Sequence, residues 1–213
     1  MANVPGVSPL NARKVAQKYG VNIADTVECI YQPLYEYQTY PAAGQLNFTF
    51  FQTPVGQAGN TFADTNMLSA GQIPKGQMQL VTGIQVELYL DPADIYDAAD
   101  QDVFLRDFYS VMRADAFLEF TIGSKPYLRQ GPLGKFPQTH RIIADLALAA
   151  TAAAATEGAS FAQGAGAVFD IVPLQLVSNQ NFSVAINFNA VQAIANDAKF
   201  GVTLLGYNFR NAQ

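Results

Sequence analysis

Between Asn181 and Ala190 the chain reads NFSVAINFNA, and its residues alternate. Phe182, Val184, Ile186 and Phe188 fall on one side of a period of two, and Ser183, Ala185, Asn187 and Asn189 on the other. An extended strand is the conformation that sends successive side chains to opposite faces. This strand therefore has one greasy face and one small, polar, uncharged face. The alternation recurs in QLNFTFFQ (45–52), with Leu46, Phe48 and Phe50 together, and in 76–90, where Ile84, Val86, Leu88 and Leu90 oppose Gln85, Glu87 and Tyr89. AFLEFTIG (116–123), a short piece at Tyr127–Leu128, and Phe169 to Val177 (broken at Pro173) follow the same rule. Val27 to Tyr35 is a further candidate, and Pro33 predicts an edge or a bulge there. In FGVTLLGYNFR (200–210) the apolar phase passes from Phe200, Val202 and Leu204 to Leu205, Tyr207 and Phe209. A bulge near Gly206 would produce that shift.

Two segments change period. In 8–20, Ser8 can cap a helix, Pro9 fits its first position and Gly20 can stop it. A helix this short is not stable alone, so it must dock on its own domain or on a neighbour. In QDVFLRDFYSVMRA (101–114), Val103, Phe104, Phe108 and Val111 form a helical stripe, with Arg106 and Asp107 off it. Segments 53–75 and 130–139 read as loops, and 190–198 as a loop or short helix. Segment 140–168 divides between helix, favoured by its alanines, and a long surface excursion, favoured by GASFAQGAGA. The expectation is an all-β fold: a single eight-stranded β-sandwich over 27–213 with one inserted helix, after an arm (1–26) that carries the short helix.

Why the outer strand faces lack charge is a question about partners. Half of the residues are hydrophobic and only 14% are charged, against about 25% in typical globular domains. That composition opposes disorder and is compatible either with a neutral solvated surface or with burial against partner chains. The net charge is −5, with 12 Lys and Arg in all. Arg13, Lys14 and Lys18 are the densest cationic group, too few for a phosphate-neutralising surface, so no strong direct nucleic-acid binding is expected. The opening MANVPGVSPLNARK lacks the apolar run of a secretory signal, and Leu146 to Ala155 is too short to span a membrane. The expectation is a soluble or peripheral chain. Cys29 is the sole cysteine, which excludes an intrachain disulfide and is compatible with a reducing compartment.

Residue types that carry chemistry are few. His140 is the only histidine, so any nucleophile–base pair must use it, beside Arg141. One Cys and one His cannot build a zinc site. The acidic run DPADIYDAADQD supplies Asp91, Asp94, Asp97, Asp100 and Asp102. Calcium takes such oxygen ligands, but the spacing is mostly three and the mid-loop glycine of an EF-hand is missing. Carboxylates ahead of a helix are also favoured by its dipole. Gly164-Ala165-Gly166 lacks the strand and lysine of a phosphate loop. The N-x-S/T triplets at Asn47 and Asn181 fall in expected strands. Tyr31, Tyr35, Tyr37 and Tyr40 could serve a glycan, or pack at an edge or interface. These residues point to no enzyme, no metal and no cofactor.

The segments IPKGQMQLVTGIQVELYL (73–90), FDIVPLQLVSNQNFSVAINF (169–188) and FGVTLLGYNFR (200–210), with the helical arm and the inserted helix, carry a resemblance over most of the chain. The pattern resembles the single jelly-roll coat proteins of icosahedral, tailless viruses and phages. The resemblance implies a jelly roll of two four-stranded sheets and a structural subunit that self-assembles into capsomers and an icosahedral shell. It implies copies of itself and other virion proteins as partners, and location in the virion after synthesis in the host cytoplasm. Ser183, Asn187 and Asn189 would then pair across chains without the cost of desolvating charge. The chain departs from many coat proteins of single-stranded genomes in lacking a strongly basic arm. A different protein or an internal lipid layer would line the shell, or the genome would be packaged without this arm. The alternative is a carbohydrate-binding sandwich, either a lectin-like module or a viral spike head.

Overall fold

The computed structural model describes residues 9–23, 27–91, 101–136, 140–145, 158–163 and 168–211, of which 9–11, 101–105, 140–145, 158–163 and 211 by backbone alone. In chain order the elements are α1 (Pro9–Tyr19), β1 (Val27–Tyr31), β2 (Leu34–Tyr40), β3 (Asn47–Phe50), β4 (Gln77–Tyr89), α2 (Gln101–Met112), β5 (Ala116–Ile122) and β6 (Lys125–Gln130). A 3-10 turn (Leu133–Lys135) precedes β7 (His140–Asp145), β8 (Gly158–Gln163), β9 (Phe169–Val177), β10 (Phe182–Phe188) and β11 (Ala198–Asn211). The fold is predominantly β, and the described strand pairs are antiparallel.

A five-stranded sheet runs β1-β11-β4-β9, with β2 also on β11, and a four-stranded sheet runs β3-β10-β5-β6. Among the described residues eleven strands form where alternation predicts eight. The first candidate divides at Gln32–Pro33, because proline has no N–H for a ladder, and both halves pair with β11. The other addition is the β7–β8 ribbon, from His140↔Gln163 to Asp145↔Gly158. It corrects the expectation of helix or loop over 140–168: β-branched Ile142 and Ile143 favour extended backbone. Residues 146–157 lie outside the described part. Eight strand positions remain in the two main sheets. No helix arises between 190 and 197.

The inward faces of the two sheets share one core. Phe200 of β11 lies 5.2 Å from Phe48, 5.8 Å from Phe50 and 6.2 Å from Phe188, all on the opposite sheet. Tyr40 stacks on Phe48 at 5.3 Å and donates its hydroxyl to the Gln192 carbonyl at 2.7 Å. Tilted and edge-on rings at these distances suit the aromatic quadrupole.

The helix α1 docks on its own domain, on the outer face of the five-stranded sheet. Ala12 and Ala16 pack with Cys29, Leu80 and Phe209, flanked by Met78 and Tyr207. Gly20 ends the helix with φ +66°, and the Val21 N–H closes on the Ala16 carbonyl at 2.8 Å. Ser8 lies outside the described residues. This second core explains the phase shift in β11. Phe200, Val202 and Leu204 face the inter-sheet core, whereas Tyr207 and Phe209 face α1. The register slips between Leu205 and Gly206, where a Cβ on Gly206 would lie 1.9 Å from the Leu80 carbonyl oxygen. One strand thus buries opposite faces along its two halves.

In α2, Val111 is fully buried and Phe108 packs against the core; the side chains of Val103 and Phe104 lie outside the described residues. Asp107, off the apolar stripe, is only 1% exposed. Its carboxylate accepts the Ala195 N–H at 2.6 Å, tying the β10–β11 loop to the helix.

Candidate functional site

The strand β2 positions a densely polar region around Glu36, Tyr37 and Gln38. Leu34, Glu36 and Tyr40 point inward, and Tyr35 and Tyr37 outward. On the outer face, Tyr37 lies flat across Gly201, where a Cβ would come within 2.0 Å of the ring. Its hydroxyl donates to Glu87, and the Tyr89 hydroxyl donates to the same carboxylate at 3.1 Å. Alternation assigns Gln85 and Glu87 to the outer face, and they lie there, yet they are only 7% and 5% exposed. Burial, and then the hydrogen bond to Glu87, push the Tyr37 hydroxyl far above the ordinary tyrosine range. Tyr89 is pushed up to about 12, by burial first and then by the charge of Glu87.

The other edge of β2 is closed by the loop after β3. The Tyr37 N–H donates to the Asp64 carbonyl at 2.7 Å, the Tyr35 N–H to Asn66 Oδ1 at 3.1 Å and the Asn66 N–H to the Tyr35 carbonyl at 3.3 Å. Beyond that closure a cleft of about 470 Å³ opens, lined by Tyr37, Gln38, Thr39, Asn60, Asp64 and Lys199 among others. Lys199 Nζ lies 2.8 Å from Asp64 Oδ1 and 3.1 Å from the Ala63 carbonyl. That ammonium, with the Thr61 N–H and hydroxyl, holds the Asp64 carboxyl down at about 2. Under the cleft floor Glu36 is fully buried. It accepts the Gln38 amide at 3.0 Å and the backbone N–H groups of Phe51, Gln52 and Thr53. Phe51 has φ +70°, so this carboxylate holds a left-handed corner. Burial raises the Glu36 carboxyl above its ordinary value, against the downward pull of those hydrogen bonds.

The Asp64 clip has a pH signature. A carboxyl whose folded value lies below its unfolded value stabilises the fold above about 3.8, and that contribution is lost as pH falls through about 2. Lys199→Met should cost about 0.5–1 kcal/mol at pH 7. In urea unfolding, the gap to wild type should close as pH is lowered towards 2. A gap that persists undiminished in acid removes the clip as its cause.

The cleft offers amides, hydroxyls, the Asp64 carboxylate and the Lys199 ammonium, the last two paired with each other. The sole imidazole belongs to His140, whose backbone opens β7 and whose side chain, like that of Arg141, lies outside the described residues. Cys29 is buried beneath α1, and burial raises its thiol. No group of three or more His, Cys, Asp or Glu converges among the described residues. Of the acidic run, Asp91 is described and Asp102 is the second residue of α2, by backbone alone; Asp94, Asp97 and Asp100 lie outside, as does Gly164-Ala165-Gly166. The four tyrosines divide: Tyr31, 61% exposed, leans on Tyr207 at 5.6 Å, Tyr35 and Tyr37 share the outer face, and Tyr40 is in the core. They do not make one platform. Asn47 opens β3, and Asn181 lies in the turn before β10, where its amide oxygen accepts from Gln72 at 2.5 Å.

The outer face of the four-stranded sheet carries the feature first read in the sequence. Ser183, Ala185 and Asn187 of β10 lie across from Thr121, Glu119 and Phe117 of β5, and Ala185 and Asn187 from Thr49 and Asn47 of β3. The one acidic side chain in these rows, Glu119, is matched within the chain by Arg129. Asn189 is engaged within the chain, its amide donating to Asp115 at 2.7 Å. Comparisons with known protein families, with curated proteins and with solved structures find no match to this chain.

Proposed function

We propose that this chain is the structural subunit of a viral shell, built on a jelly roll and assembling with copies of itself. The fold part of the reading is supported by nested pairing. With β1 and β2 taken as one position, the eight sandwich positions pair first with last (β1/β2·β11), second with seventh (β3·β10), third with sixth (β4·β9) and fourth with fifth (β5·β6). A hairpin of that nesting, rolled over itself, is the eight-stranded double-sheet jelly roll.

The observation that carries the functional part is the neutral outer face of β3, β10 and β5. Amides, hydroxyls, an alanine and the partly exposed Phe117 lie there beside one self-neutralised ion pair. Such a face loses little when water is removed, whereas a charged face would lose several kcal/mol per stranded ion. Symmetric repeated interfaces are the contacts such a surface would suit. Other virion proteins and an internal lipid layer are the further partners of this reading, and the virion is its location. Negative-stain microscopy of the purified chain, with size-exclusion chromatography over a range of concentration, tests it. Capsomers or closed shells are the expected result. A monomer that persists at high concentration overturns it.

A further inference from the structure

The two edges of the sandwich are finished differently. At the β2/β3 edge the core is sealed: Tyr40, Phe48 and Phe50 are at most 1% exposed, and the loop around Asp64–Asn66 closes the strand. At the β6/β9 edge it is not. Leu128 of β6 and Phe169, Ile171 and Leu174 of β9 touch the core but remain only partly buried. Val172 is 83% exposed and Tyr127 53%. The outer edges of β6 and β9 pair with no described strand.

Lys125 and Asp170 lie at opposite ends of this edge; of the other cations near it, Arg129 of β6 is held by Glu119, and Lys135 lies in the 3-10 turn beyond the strand. Lys125 opens β6 opposite Ile122, and the adjoining turn bonds through the Gly123 N–H to the Asn181 carbonyl at 2.7 Å, close after β9 ends at Val177. Asp170 lies at the other end, beside Phe169, whose ring meets Phe136 beyond the end of β6 at 4.7 Å. Both are exposed, and neither forms an ion pair with a described residue. With Arg129 taken up by Glu119, the edge presents Lys125 at one end, Asp170 at the other and exposed Tyr127 and Val172 between, an arrangement complementary to itself. A two-fold axis lying in the contact and crossing the Lys125–Asp170 line sets each lysine against the partner's aspartate.

We infer that copies of this chain associate isologously through the β6/β9 edge, with Val172 at the centre and two reciprocal Lys125–Asp170 pairs flanking it. The inference rests on the coat-subunit reading and names the contact through which that assembly begins. Added strand pairing is not the mode. Asp170 pairs with Gly83 and Leu174 with Val81, so Ile171, Val172 and Pro173 bulge out of the ladder, and Pro173 has no N–H to give. The contact is made by side chains packed on a bulged edge. This also accounts for an apolar, half-open core margin that would otherwise be a liability in water.

Light scattering coupled to size-exclusion chromatography, on the full chain, tests it with Val172→Asp, Lys125→Asp, Asp170→Lys and the last two combined. The sites are exposed, so circular dichroism melts should match wild type. Val172→Asp should weaken association at least ten-fold, since it buries a carboxylate at the centre. Each single reversal breaks two exposed pairs and should weaken it about five-fold; the combined reversal should return it to within about two-fold of wild type. If wild type assembles and Val172→Asp assembles equally well, the contact lies elsewhere and the coat reading stands without it. A combined reversal no better than the singles overturns the two-fold arrangement. If wild type itself does not associate, both readings fall.

Discussion

Replacing Glu36 with alanine is expected to destabilise the fold by about 2–4 kcal/mol, among the largest effects of any single polar substitution here. The residue is fully buried, and its carboxylate accepts backbone N–H groups from Phe51, Gln52 and Thr53 at the corner that leads out of β3. Phe51 is itself fully buried. Without Glu36 its N–H has neither water nor protein to bond, and an unsatisfied buried donor costs about 1–3 kcal/mol. Glu36→Gln preserves shape and one acceptor but turns an NH₂ towards backbone donors, so it should lose less. The pH dependence separates charge from shape. The folded carboxyl lies above its ordinary value of 4.5. Its protonation therefore contributes stability that is complete below that value and is lost as pH rises through the folded one. Glu36→Gln lacks the titration, so wild type should lead it most in acid and least at neutral pH. Urea unfolding of both at pH 4, 5.5 and 7 measures this. A lead that grows with pH would mean that the hydrogen bonds to the carboxylate outweigh its burial.

Phe200→Ala should cost about 3–5 kcal/mol, the range for removing a buried aromatic ring. Phe200 is fully buried, and it touches Tyr40 on its own sheet and Phe48, Phe50 and Phe188 on the other. Its removal opens a void at the point where the two sheets are joined by rings, and close-packed neighbours collapse into such a void only in part. For a chain of this length each kcal/mol moves the melting temperature by about 2–4 °C, so a fall of roughly 10 °C is expected. Phe200→Leu retains an apolar filler and should recover a good part of the loss. A thermal melt within about 2 °C of wild type for Phe200→Ala would show that the sheets are held by something other than this ring cluster. Val172, 83% exposed on the β6/β9 edge, is the contrast: its substitution should leave folding alone and act on association.

Strand positions were legible because period-two alternation follows from backbone geometry and needs no knowledge of partners. The face of β10 that carries Phe182, Val184, Ile186 and Phe188 is buried as its sequence predicts, and the slip at Leu205–Gly206 falls where the apolar phase of β11 changes. The helices at Pro9–Tyr19 and Gln101–Met112 follow from the same local logic of spacing and stop signals. Alternation also predicts that Glu87 faces outward, but not that Tyr37, fifty residues earlier, lies over Gly201 and donates to it. Asp107 falls off the apolar stripe of α2, and its burial was not legible because the Ala195 N–H it accepts is eighty-eight residues away.

The chain by itself determined which segments of the two main sheets extend, where its two helices coil, and that few of its side chains carry charge, since each of these is a property of neighbouring residues or of the total; the β7–β8 ribbon was not legible in that way. Tertiary structure alone decided that the strands nest first to last, that α1 seals the outer face over Cys29 and Leu80, and that one edge of the core is closed while the β6/β9 edge stays open. The physical reason is that pairing and burial are contacts between residues far apart in sequence. Their free energy depends on which surfaces remain uncovered once every other segment has been placed, and no local window contains that information.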